Sequence, residues 1–206
     1  MMAVMPMFPL GTTLLPGAVL PLQVFEPRYR RMVEDILTDD VNPPEFGVTL
    51  IERGSEVGGG DTRATIGTVA RIVDIQIAPD GRYLLAALGF ERLRVNTWLP
   101  DDPYPLADVD LWPDQDSLAA TSEIDALHRR VREINEIARS MGESTPPPDA
   151  EVGDDPRLAV YRLGSLSPLG AADRHRLLAA PGLSDRLKVL HEALDDAAAV
   201  LEFRRS

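Results

Sequence analysis

The first charged residue of this chain is Glu26. The twenty-five residues before it are uncharged and are divided by Pro6, Pro9, Pro16 and Pro21, with Gly11 and Gly17 between them. Few folds accept such a stretch. Its apolar side chains favour burial, and its prolines forbid a continuous helix, because each removes an N–H and clashes with the turn before it. A membrane-spanning helix is therefore not expected. Nor is a secretory leader, since no basic segment comes before Arg28. Short buried strands joined by turns remain.

At Glu26-Pro27 the pattern changes to helix. Proline suits the first helical position, where its missing N–H had no partner to lose. Tyr29, Met32, Val33, Ile36 and Leu37 then recur at helical spacing and predict one apolar stripe. Arg28, Arg30, Arg31, Glu34 and Asp35 take the other face, with bases in the first turn and acids in the last. That order runs against the helix dipole, and Arg30–Glu34 and Arg31–Asp35 have the less favoured orientation. Tertiary contacts or a partner must have placed these arginines.

Strand patterns follow. Phe46–Glu52 is rich in β-branched residues. Arg53–Arg63 contains three successive glycines and reads as a hairpin loop; it lacks the Lys-Ser/Thr of a phosphate-binding loop. Ile66–Ile77 alternates, with Val69, Ile72 or Val73, Ile75 and Ile77 as its apolar positions. Pro79-Asp80-Gly81 is a turn, and Tyr83–Leu88 is the return strand. The strand continues through Gly89 to Val95 with a glycine bend, and Leu106–Leu111 is the last. Many short strands joined by turns indicate a barrel or sandwich.

From Asp114 the period is helical. Ser122 with Asp125 has the spacing of a capping box. Ile124, Leu127, Val131, Ile134, Ala138 and Met141 alternate spacings of three and four. Gly142–Asp154 is a linker. A short helix from Asp155-Pro156 ends near Gly164, and a second runs over Ala171–Ala179. Leu183, Leu187, Leu190, Leu194, Ala197 and Leu201 mark a final long helix. The expected division is 1–113, a β subdomain, and 114–206, a helical subdomain.

Composition removes several chemistries. Cysteine is absent, which excludes disulfides and thiolate catalysis and fits a cytoplasmic setting. The net charge of −12 argues against non-specific nucleic-acid binding, which needs a basic face. His128, His175 and His191 lack metal-ligand spacing. Lys188 is the only lysine, and no serine motif accompanies it. No P-loop occurs. Catalytic residues, cofactor and metal are therefore all expected to be none.

The segment from Pro21 to Tyr29, P-L-Q-V-F-E-P-R-Y, resembles the signature of the Lon protease N-terminal (substrate-binding) domain family. Phe8-Pro9-Leu10 and Pro16-Gly17 come before it in the order of that family. Further along, G-T-V-A from Gly67, D-G-R from Asp80 and G-x-x-R-x-R from Gly89 resemble its central strands. The pair Leu177–Leu178 with Arg186–Leu187 resembles its helical part more loosely. The resemblance implies an α+β fold: an N-terminal PUA-like β pseudo-barrel with a C-terminal helical bundle. It ends where the ATPase of Lon would begin, so a stand-alone form is expected. It also implies a non-catalytic module that binds exposed apolar segments of unfolded or partly folded polypeptide, with a protease or other protein as partner and no nucleic acid or membrane. Phe25, Glu26, Arg28 and Tyr29 are its candidate peptide-binding residues. A structural reading stands beside this one: Glu26 and Arg28 fix the strand-to-helix corner while Phe25 and Tyr29 fill the core. Two rival functions have stated requirements. RNA binding needs Arg71, Arg82, Arg92 and Arg94 on one face; a hydrolase needs a deep pocket with convergent carboxylates or histidines.

Overall fold

The computed structural model describes residues 3–54, 61–115 and 121–205. Among these lie six strands and five helices in two compact units, Met1–Pro113 and Asp114–Ser206. The first unit contains β1 (Ala3–Leu10), β2 (Val19–Val24), α1 (Pro27–Thr38), β3 (Glu45–Arg53), β4 (Thr62–Ile77), β5 (Tyr83–Trp98) and β6 (Leu106–Leu111). The second contains α2 (Thr121–Ser140), α3 (Pro156–Leu166), α4 (Ala171–Ala179) and α5 (Leu183–Arg205). The architecture is α+β, and the expected glycine-rich tip of the β3–β4 hairpin lies outside the described residues.

The sheet runs β2-β5-β4-β3-β1-β6, and β6 also pairs with β5. That extra pairing closes β1, β3, β4, β5 and β6 into a ring, the pseudo-barrel implied by the resemblance, with β2 on the outer end of β5. The length of β5 makes this possible. Tyr83–Leu88 pairs with β2, while Leu93–Trp98 pairs with β6. Between them the register with β4 slips from Thr68↔Arg92 to Ala70↔Gly89. The one extra residue of β5 there kinks the strand and lets it serve two partners. A Cβ on Gly89 would stand 2.5 Å from the Leu15 carbonyl oxygen, so only glycine permits this approach.

The uncharged N-terminus now has its reason. Met7 packs with Val69, Leu93, Val95 and Val109, while its neighbour Phe8 packs with Tyr29, Phe46, Val33 and Leu85. Successive residues of β1 face opposite ways, and both ways are core. In β4 the register passes from Ile72↔Ala87 to Asp74↔Ala86. Val73 is the unpaired residue of a bulge and faces solvent, so Ile72, not Val73, is the core position. Ile77, at the hairpin end, is also exposed.

On α1, Tyr29, Met32, Val33 and Ile36 are buried and Leu37 is not. The core takes four positions of the stripe, and Leu37 falls just past its edge. In the second unit Ile124, Leu127, Val131, Ile134 and Ala138 of α2 are buried. The helix already runs from Thr121, which puts Ser122 inside its first turn. Gly164 does not end α3: it is buried within a helix that reaches Leu166, and Ser167 closes the end by donating from Oγ to the Leu163 carbonyl at 2.6 Å. On α5 the buried alanines are Ala193 and Ala198, with Ala197 half-buried. Arg186 is fully buried. Its guanidinium donates to both carboxylate oxygens of Asp114, at 2.5 and 3.3 Å, and lies 4.0 Å from the centre of the Tyr161 ring.

Candidate functional site

The four signature residues stand where β2 turns into α1. Val24 holds the last inward position of β2 and is buried. Strand parity then turns Phe25 outward, and it is 57% exposed. This corrects the expectation that Phe25 fills the core. Glu26 is the N-cap residue of α1, but its side chain caps no backbone N–H. Its carboxylate instead accepts from Arg28 Nε at 3.2 Å, with both side chains about one-fifth exposed (19% and 20%). The Arg28 guanidinium also lies 4.6 Å from the centre of the Tyr29 ring, and 4.0 Å from Asp101. Asp101 in turn meets Arg63, which pairs with Asp61 at 2.7 Å. The neighbouring Glu26 and, from a distant segment, Asp101 thus hold Arg28 against the helix dipole.

Tyr29 is buried, its ring 4.2 Å from that of Phe8. Burial pushes its hydroxyl pKa up to about 12, against the pull of Arg28. Burial pushes the Asp61 carboxyl up, but the Arg63 hydrogen bond, a backbone hydrogen bond and the charges of Arg63 and Arg28 together outweigh this and hold it below the usual range. These shifts come from ion pairs and packing. None leaves a group poised for proton transfer near neutral pH.

Phe25, Glu26 and Tyr29 line a cleft of about 190 Å³ with Phe8, Leu10 and Leu22. Arg28 is not part of its lining. The cleft lies where the ring is not fully closed: β1 pairs with β6 only over Ala3–Pro6, and β2 pairs only with β5. Hydrogen-bond parity shows how the two strand edges are finished. Met7 N–H donates to Pro105, so odd residues of β1 point toward the β6 side. Gly89 N–H donates to the Ala18 carbonyl, so even residues of β2 point toward β5. Pro9 and Pro21 therefore occupy positions whose N–H would face the cleft. Proline belongs at such edges, where it discourages strand addition. The volume agrees, because ligand clefts usually measure about 300 Å³ or more. This site suits one inserted side chain better than a whole added strand.

A larger cleft, about 480 Å³, lies elsewhere in the first unit. Val4, Met5 and Pro6 of β1 form one wall, Asp35 and Ile36 of α1 another, and Asp39, Glu45 and Tyr104 reach into it. Tyr104 Oη donates to Asp35 at 3.0 Å. Burial raises the Tyr104 pKa, and the carboxylate raises it further. Sequence reasoning did not find this cleft. Its walls come from four separated segments, and no local motif marks it.

The arginines required for RNA binding do not form a free strip. Arg71 pairs with Glu45 at 2.6 Å and stacks on Phe90, and Arg82 pairs with Asp80 at 2.7 Å. Arg92 is buried against Trp112, and Arg94 shares that ring. Lys188 is a surface residue 3.9 Å from Asp185. Burial, reinforced by Arg132, lowers the pKa of His128. Among the described residues no group of three or more His, Cys, Asp or Glu side chains could hold a metal. Among the same residues no helix is long and apolar enough to cross a membrane.

The family model of the ATP-dependent protease La (LON) substrate-binding domain matches residues 4–196. The chain belongs to that family. Lon protease 1 of Herpetosiphon aurantiacus is 26% identical over 97% of this chain, and Lon protease 2 of Myxococcus xanthus 27% over 97%. The chain spans only 25% and 24% of the length of these curated relatives. A Lon N-terminal domain protein from Xanthomonas campestris is similar in structure, with TM-score 0.66 and 29% identity, covering 92% of this chain and 98% of that one. The N-terminal domain of a Mycobacterium avium complex Lon protease shares the fold, with TM-score 0.59, 20% identity, and 94% and 99% coverage. Among the residues of the central strands that resemble those of the Lon substrate-binding family, several make close structural contacts. A Cβ on Gly67 would collide with the Val48 carbonyl, and Thr68 Oγ1 donates to the Leu14 carbonyl at 2.6 Å. Gly81 takes φ +81° in its turn, and Asp80 accepts from the Arg82 N–H.

Proposed function

We propose that this chain is a polypeptide-recognition module that binds exposed apolar segments of unfolded or partly folded protein in the cytoplasm and breaks no bonds in them. Membership of the Lon substrate-binding family carries the reading. The exposed Phe25 beside a side-chain-sized apolar cleft supplies a physical means. Affinity comes from apolar burial: Phe25 is covered by the client while a client side chain enters between Phe8, Leu22 and Tyr29. Pairing with the strand edges contributes little, because Pro9 and Pro21 have removed donors there. A protease or another protein is the expected partner that receives the client. RNA binding is the weaker reading, since its arginines face Glu45, Asp80 and Trp112.

Two assays on purified protein test the proposal. The chain should hydrolyse no ATP and cleave no casein, and it should bind reduced, alkylated lactalbumin but not the native form. Protease or ATPase activity that persists through re-purification overturns the non-catalytic reading. Failure to bind unfolded lactalbumin at about 100 μM, already a weak affinity, overturns client recognition.

A further inference from the structure

We infer that the larger cleft beside the C-terminal end of α1 takes an extended polypeptide segment bearing a lysine or arginine next to an apolar residue. The inference rests on the polypeptide-binding reading above and names the segment and a second place where it is held.

Three independent features converge there. The first is size. At about 480 Å³ the cleft falls within the range of clefts that hold ligands, whereas the cleft beside Phe25 does not.

The second is an open strand edge. Odd residues of β1 point toward β6, so Val4 and Pro6 point toward the β3 side. The ladder with β3 begins only at Met7↔Gly47. Val4 lies beyond its end, with its N–H and C=O directed toward the cleft. Pro6, between Val4 and the ladder, can donate nothing. A short extended segment can pair with Val4 without displacing any native strand. Val4 is also 62% exposed, and with Ile36 and Pro43 it offers that segment an apolar surface.

The third is charge. Asp35, Asp39 and Glu45 line the cleft. The cations that face them are Arg31, 2.9 Å from Asp35, and Arg71, 2.6 Å from Glu45. Tyr104 donates to Asp35 but brings no charge. Asp39 bonds only uncharged groups: the N–H groups of Val41 and Asn42 and the Asn42 amide. α1 points its negative end here and carries no basic residue in its last turn. One carboxylate and the helix end therefore remain unneutralised. A cationic side chain is attracted and an acidic one repelled. The apolar wall and the strand edge select a peptide over a simple cation.

The test uses the whole chain, labelled with ¹⁵N, and two short peptides blocked at both ends. One carries an arginine between leucines; its twin carries glutamate there. The arginine peptide should shift the amide signals of Val4, Ile36 and Asp39. It should bind about two- to five-fold more tightly than its twin at low salt, the range of a solvent-exposed charge pair. The difference should shrink as salt is added. Asp39→Asn should narrow it too, while the melting temperature holds because the amide oxygen can still accept from Val41 and Asn42. If that variant unfolds, the salt series on the natural chain decides. Equal affinities for the two peptides overturn the inference. So do shifts confined to Leu22–Tyr29, although that result leaves polypeptide binding intact. Absence of binding by both peptides and by unfolded lactalbumin removes the underlying reading as well.

Discussion

Replacing Phe25 with alanine separates fold from function at the strand-to-helix corner. Phe25 is 57% exposed, so the folded chain buries less than half of its ring. Fully burying such a side chain stabilises by about 1.5–3 kcal/mol. The truncation should therefore cost about 1 kcal/mol of stability, far below the about 3–5 kcal/mol of a core phenylalanine. Binding should respond more. An aromatic side chain presents about 200 Å², so roughly 110 Å² remains for a client to cover. At about 25 cal/mol per Å² that is worth up to about 3 kcal/mol. A client that covers most of it loses about 30- to 100-fold in affinity when the ring is removed. Urea unfolding followed by circular dichroism gives the first quantity. Titration calorimetry with reduced, alkylated lactalbumin gives the second. Loss of more than about 3 kcal/mol of stability would return Phe25 to the core. A folded Phe25→Ala chain with unchanged client affinity would remove the residue from the site.

Arg186→Ala should cost about 3–5 kcal/mol in urea unfolding, because it leaves the buried Asp114 carboxylate without its close partner. Arg186→Met combined with Asp114→Leu should recover most of that loss; a cost under about 1 kcal/mol for the single change would mean the pair contributes as an exposed one does. Tyr29 gives the alkaline limb. Its folded pKa is raised from 10.0 to about 12, so its contribution is complete below pH 10 and is lost as pH rises toward 12. Tyr29→Phe should flatten the fall in melting temperature across that window, and an unchanged slope would place the titrating group elsewhere.

The elements legible in the sequence were those whose pattern is local. Pro27 marked the start of α1, and Leu106–Leu111 and Ala171–Ala179 were found at their observed bounds. Turn residues and periodicity suffice for these, since each reports on its own neighbours. Errors began where a long-range partner set the outcome. Val73 was indistinguishable from Ile72 until the bulge opposite Ala86–Ala87 expelled it. Phe25 read as core because aromatic residues usually are, and only the placement of Val24 turned it outward. Arg186 lies beside a leucine stripe, and nothing in its sequence neighbours marks it as buried. Its burial depends on Asp114, seventy-two positions earlier.

From the sequence alone came the uncharged, proline-divided N-terminus, the change of period at Asp114, the resemblance that named the family, and the absence of cysteine and of a P-loop. These follow from covalent geometry and from which side chains water will accept. The tertiary structure decided where the strand ladders stop: β6 leaves β1 after Pro6, and β3 joins it only at Met7. Both clefts and the role of the β1 edge prolines follow from those two end points. No local pattern encodes them, because a ladder ends where two distant segments cease to be within hydrogen-bonding reach.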